Sequence, residues 1–116
     1  MSITRIGAGK RMSEAVIHGG KAYLAGFVAE KTVGKSVKEQ TADILAQSDA
    51  TLKQAGTDKT KLLSATIFLP SMTDFAAMNA VWEAWVPQGH TPARATVEAK
   101  LASPDYKVEI HAIAAL

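Results

Sequence analysis

The 116-residue chain is 47% hydrophobic, sets 13 basic against 11 acidic side chains, and has no cysteine. That is too apolar for a disordered chain, and the length fits one domain, residues 1–116. The near balance of charge gives no pull toward nucleic acid, and the missing thiols exclude disulfides, thiolate metal sites and cysteine nucleophiles.

The opening stretch MSITRIGAGKRMSEAV is polar and lacks the apolar run of a secretory signal. No segment approaches the ~20 apolar residues of a membrane span, so a cytoplasmic location is expected. Ile3 marks a place for a short extra strand. The GAGKR at residues 7–11 has part of a phosphate-loop pattern, but Arg11 stands where a hydroxyl residue is required, and the stretch reads as a plain loop. Residues 15–29 read as a hairpin: EAVIH, then Gly19 and Gly20, then AYLAGFVA. The glycine pair supplies the positive φ of a tight turn.

After a loop around Gly34, Ser36 opens a helix. Ser36 and Glu39 form the S-x-x-E capping box, in which each side chain can satisfy an orphan backbone donor. Val37, Thr41, Ile44, Leu45, Ser48 and Leu52 follow at helical spacing, and Gly56 sits where a C-terminal cap belongs. Residues 62–70, LLSATIFLP, are apolar on both parities, as expected of a central strand covered on both faces. A second helix runs from about residue 73 to Trp85, with Phe75, Met78, Trp82 and Trp85 read as core packing and Pro87 as its stop.

Two strands close the chain, residues 93–101 and 106–114. Strands alternating with helices imply an α+β fold, a mixed sheet with both helices on one face. Arg94, Thr96 and Glu98, then Lys107, Glu109 and His111, are expected to point off the last strands toward a wet face or another subunit. Pairing those strands directly would set Glu98 against Glu109 and Lys100 against Lys107. Like charges facing across a ladder are unfavourable, so either the register is shifted or another strand lies between.

His18, read as lying in a turn, His90 in a loop and His111 on a strand lack the spacing of a helical metal site, so no metal is expected. No G-x-S-x-G nucleophile pattern occurs. What remains is Arg94, whose planar donor fork suits a substrate carboxylate, and Glu109 in an apolar strand. Taken alone, the two residues read more readily as a mutual salt bridge, or as two solvated sheet-face charges, than as a site.

TPARATVEAKLASPDYKVEIHAIA resembles the C-terminal pattern of the Rid family, also called YjgF/YER057c/UK114: proline-x-arginine opening a strand, then a last strand reading V-E-I-x-A-I-A. AYLAGFVA resembles that family's early strand and FAAMNAVWEAW its second helix. The resemblance implies a chorismate-mutase-like α+β fold, a homotrimer, and a cleft between subunits. It implies cofactor-free hydrolysis of reactive 2-imino acids and enamines to 2-oxo acids and ammonia. It assigns carboxylate binding to Arg94 and handling of water to Glu109, with Thr96, Gly26, Phe27 and Asn79 lining the pocket. RMSEA has no tyrosine where deaminase-type members often carry one. Phe27 stands where glutamine is common, an apolar side chain expected to narrow or dry the pocket. The rival expectations are a non-catalytic module binding a small carboxylate metabolite, and an RNA-binding or endoribonuclease protein, which the scattered basic residues disfavour.

Overall fold

The computed structural model describes residues 2–116. Its elements run β1 (Thr4–Ile6), β2 (Ala15–His18), β3 (Lys21–Leu24), α1 (Val37–Gln54), β4 (Leu62–Leu69), α2 (Phe75–Trp85), β5 (Ala93–Glu98) and β6 (Glu109–Ala115). The strands form one sheet in the order β1-β2-β3-β6-β4-β5. Only β4 and β5 are parallel, joined by α2 as the crossover that parallel neighbours require. The expected short strand near Ile3 is β1.

The charge conflict at the C-terminal strands is resolved by topology. β4 lies between β5 and β6, so Glu98 pairs with Leu69 and Glu109 with Phe68, and the two carboxylates never face each other.

Both helices pack on one face. Ile44, Leu45 and Leu52 of α1 and Met78 and Trp82 of α2 form one core with Ala65 and Ile67 of β4 and Ile110, Ala112 and Ala114 of β6. Burying each large aliphatic side chain contributes about 1.5–3 kcal/mol. Trp85 ties the helices together, its Nε1 donating to Asp49 Oδ2 at 3.0 Å.

α1 begins and ends on local chemistry. Ser36 Oγ accepts from the Glu39 N–H at 3.2 Å. The reciprocal half of the box differs from expectation: Glu39 Oε1 accepts the Ser36 hydroxyl at 3.1 Å rather than a backbone donor. At the far end Gly56, with φ +84°, donates to Lys53 O, and Thr57 donates to Leu52 O. That pair of bonds is the Schellman arrangement, and the positive φ favours glycine.

Two side chains of α1 fasten the loops around it. Gln40 is fully buried and fully used: its Nε2 donates to Lys35 O and Asp105 O, and its Oε1 accepts from Lys107 N–H. Asp43 Oδ2 accepts from the backbone N–H groups of Glu30, Lys31 and Thr32 and from the Thr32 hydroxyl. Burial opposes ionisation of Asp43, but hydrogen bonds from Gln47, Thr32, Lys31 and Glu30 outweigh it and lower its pKa to about 2.

Several expectations need correction. The second arm of the early hairpin ends at Leu24; the Ala25 N–H still donates to Glu14 O in the β2–β3 register, and Phe27 then bridges Ile110 one residue out of step with the Tyr23–Ile113 pair. His18 ends β2 rather than sitting in the turn. β4 is covered on one face only, with Ser64, Thr66 and Phe68 half-buried on the other. The closing strands are shorter at Glu98 and start later at Glu109. The polar row of β5 faces the opposite way: Arg94 and Thr96 share the helix side with Ala65 and Ile67. Ala95 and Val97 are left exposed on the open face. Along the rest of that face lie Tyr23, Phe68, Glu109, His111 and Ile113.

Candidate functional site

β5 is an edge strand, and Pro92 sits just ahead of it, where no ladder donor is needed. Arg94 is its second residue. The side chain runs under α2, where its guanidinium lies 5.6 Å from the centre of the Trp82 ring and 5.9 Å from that of Phe75. Aromatic faces attract a cation and hold it without using its N–H groups. Burial lowers the Arg94 pKa from its usual value, and the Glu83 carboxylate acts the other way. The group remains a cation, with its donor fork committed to no partner carboxylate by this stacking.

Arg94 opens into a cavity of about 510 Å³ shared with Asn79, Trp82, Glu83 and Thr91. Phe75, Asn79 and Glu83 fall one turn apart along α2, which brings that row to the β5 margin. Asn79 Oδ1 and Thr96 Oγ1 are buried without a hydrogen-bond partner. Such groups cost free energy unless something satisfies them. Arg94, Asn79 and Thr96 are thus brought to one side of the sheet.

Glu109 is elsewhere. It opens β6 beside Phe68 on the open face, in line with His111, and so lies across the sheet from Arg94. Its carboxylate packs directly over Gly26. Phe27 does not share that position: its two backbone bonds with Ile110 place it on the helix side, packed against the core. There, with Gly26, Met12 and Tyr106, it lines a separate cleft of about 680 Å³. Phe27 therefore cannot narrow the space around Arg94 in the same chain. Of the two plain readings, a mutual salt bridge between Arg94 and Glu109 of one chain is excluded by their opposite faces.

Sequence reasoning missed Glu83, and it read Phe75 and Trp82 as core alone. The signal was the i, i+4, i+8 row Phe75, Asn79, Glu83, whose polar members mark a face that is not simply core. The GAGKR loop proves to be a packing device. Gly7, at φ +60°, leaves room for the Glu14 side chain, and the Gly9 N–H donates to Met12 O. Among the described residues no three His, Cys, Asp or Glu side chains gather as metal ligands, and no helix is long and apolar enough to cross a membrane.

The family model described as Endoribonuclease L-PSP matches residues 2–116. The RutC family protein YoaB of Escherichia coli K12 is 48% identical over 116 residues, covering 100% of both chains. The chain belongs to the Rid/YjgF family. Its six-stranded mixed sheet with two helices is the chorismate-mutase-like fold of Rid/YjgF proteins. NMB1025 of Neisseria meningitidis, a YjgF family member, superposes with a TM-score of 0.96 at 49% identity, covering 99% of this chain and 95% of that one. A protein of Salmonella typhimurium described as a putative translation initiation inhibitor gives 0.90 at 49% identity, covering 99% and 98%.

Proposed function

We propose that this Rid protein hydrolyses reactive 2-imino acids, without a cofactor, in clefts formed where copies of the chain meet as a homotrimer. What carries the reading is Arg94: a half-buried cation, stacked on two rings, facing a cavity large enough for a small metabolite. A guanidinium held this way binds a carboxylate through two parallel N–H donors, each charge-assisted bond contributing about 1.5–3 kcal/mol.

Fixing the carboxylate orients the adjacent imine carbon. A carboxylate general base then completes the chemistry. Glu109 of a neighbouring copy takes a proton from water, whose oxygen adds to the imine carbon. The C–N bond breaks, ammonia leaves with the protons, and the 2-oxo acid remains. The opposite faces of Arg94 and Glu109 support a site shared between copies. So do Tyr23 and Val97, apolar side chains on the open face that are each 40% exposed.

An assay coupled to an amino-acid oxidase, run over several imino acids, tests this. Wild type should accelerate imine decay and Arg94→Ala should not, with circular dichroism unchanged. Equal activity in Arg94→Ala ends the assignment. Thermal stabilisation by 2-oxobutyrate with no turnover would make the chain a carboxylate-binding module instead.

A further inference from the structure

We propose that the Arg94 cavity reads two groups on one ligand, a carboxylate and a neighbouring cationic hydrogen-bond donor, and that Glu83 reads the second. This rests on the carboxylate role of Arg94 and goes further, to the substrate's other end. Arg94 and Glu83 line the same cavity with opposite charge, and Asn79 lies one helical turn from each of Phe75 and Glu83. Asn79 Oδ1 is buried with no partner. An open carboxylate beside a cation held on two rings leaves a ligand-shaped demand: an anion at one end and a donor at the other.

A protonated 2-imino acid meets that demand. Its carboxylate lies one bond from a carbon bearing an N–H donor with positive charge. The 2-oxo acid product does not, because its carbonyl oxygen is an acceptor and would face the Glu83 carboxylate unpaired. The same pair of charges therefore holds substrate and expels product. A site built to bond a donor rejects an analogue lacking it far more strongly than a site that reads shape alone. Dicarboxylates are rejected for the same reason, their second anion meeting Glu83.

Glu83 is exposed on α2, so its replacement leaves the core untouched. Calorimetric titration of the full chain in its native assembly uses stable probes: 2-aminobutyrate, 2-oxobutyrate and succinate. Wild type should bind 2-aminobutyrate about tenfold more tightly than 2-oxobutyrate, as a charged hydrogen bond permits. Glu83→Gln should bring that ratio near one, and Glu83→Lys should invert it and admit succinate. A ratio unchanged in both variants overturns the role of Glu83 while leaving Arg94 as a carboxylate anchor. An Arg94→Ala variant that binds both monocarboxylates as wild type does removes the underlying reading as well.

Discussion

The Glu109 carboxylate occupies the space that a side chain on Gly26 would need. Glycine here serves close approach rather than an unusual backbone angle, since its φ is not among the positive values in the chain. Because the obstructed atoms are the far end of a flexible glutamate, an added methyl group displaces the carboxylate instead of the backbone. Gly26→Ala should therefore melt within about 0.5 kcal/mol of wild type. Its kcat for imine hydrolysis should fall on the order of a hundredfold, as expected when a reacting group is misplaced by about 1 Å. Thermal denaturation beside the coupled assay checks both halves; a stable variant with full kcat would remove Glu109 from the chemistry.

Arg94→Lys separates charge from geometry. Lysine keeps the cation but loses the planar fork and the stacking surface that meets Trp82 and Phe75. KM for imino acids should rise on the order of tenfold or more, with the remainder of the loss appearing in kcat. Steady-state kinetics of the two arginine variants side by side gives the split.

Opposite faces make a complementation experiment decisive. Arg94→Ala and Glu109→Ala chains should each be inactive alone. Mixed by co-expression, they should recover a fraction of wild-type turnover, because some clefts then combine an intact arginine from one copy with an intact glutamate from its neighbour. No recovery in verified mixed assemblies would mean that the two residues do not share a cleft.

Val97 projects from the exposed face beside Phe68. In the isolated chain it is 40% exposed, so Val97→Asp should leave the fold intact. Light scattering should show a smaller species, and imine hydrolysis should fall with it. An assembly of unchanged mass would move the interface elsewhere.

The Asp43 clamp gives a pH dependence. Its folded pKa of about 2 lies below the ordinary 3.8, so the stabilisation is fully present above pH 3.8 and fades as pH falls toward 2. Asp43 is half-buried at the surface, and solvent screening there keeps the effect modest. Thermal melts of wild type and Asp43→Asn from pH 7 to pH 2 should converge over that window. A constant gap between the two curves would show that the clamp does not depend on the charge.

The parts legible in the sequence were those decided locally. α1 could be read because Ser36, Glu39 and Gly56 act within a few residues of themselves, and its apolar stripe has a fixed period. Like charges that could not face each other narrowed the closing strands to a shifted register or an intervening strand, and β4 is that strand. What the residues hid was the side to which each strand turns. Alternation in β5 suggested that Ala95 and Val97 face inward and Arg94 outward, and the molecule does the reverse. The rings of Phe75 and Trp82 provide shelter for the guanidinium, and no pattern within β5 reports on them. The side taken by Phe27 was hidden for a similar reason: between Tyr23 and Phe27 the register against β6 slips by one residue, and no pattern in AYLAGFVA reports it.

β6 is the last strand in chain order, yet it lies in the middle of the sheet, between β3 and β4. As the polypeptide emerges from the ribosome, the β1-β2-β3 meander and the β4-α2-β5 unit have no ladder between them until that segment is released. The fold is therefore stitched together after translation of its first hundred residues, by a segment that also brings Glu109 into register. A nascent chain stalled before that point would expose two raw sheet margins, an aggregation hazard that the insertion of β6 removes.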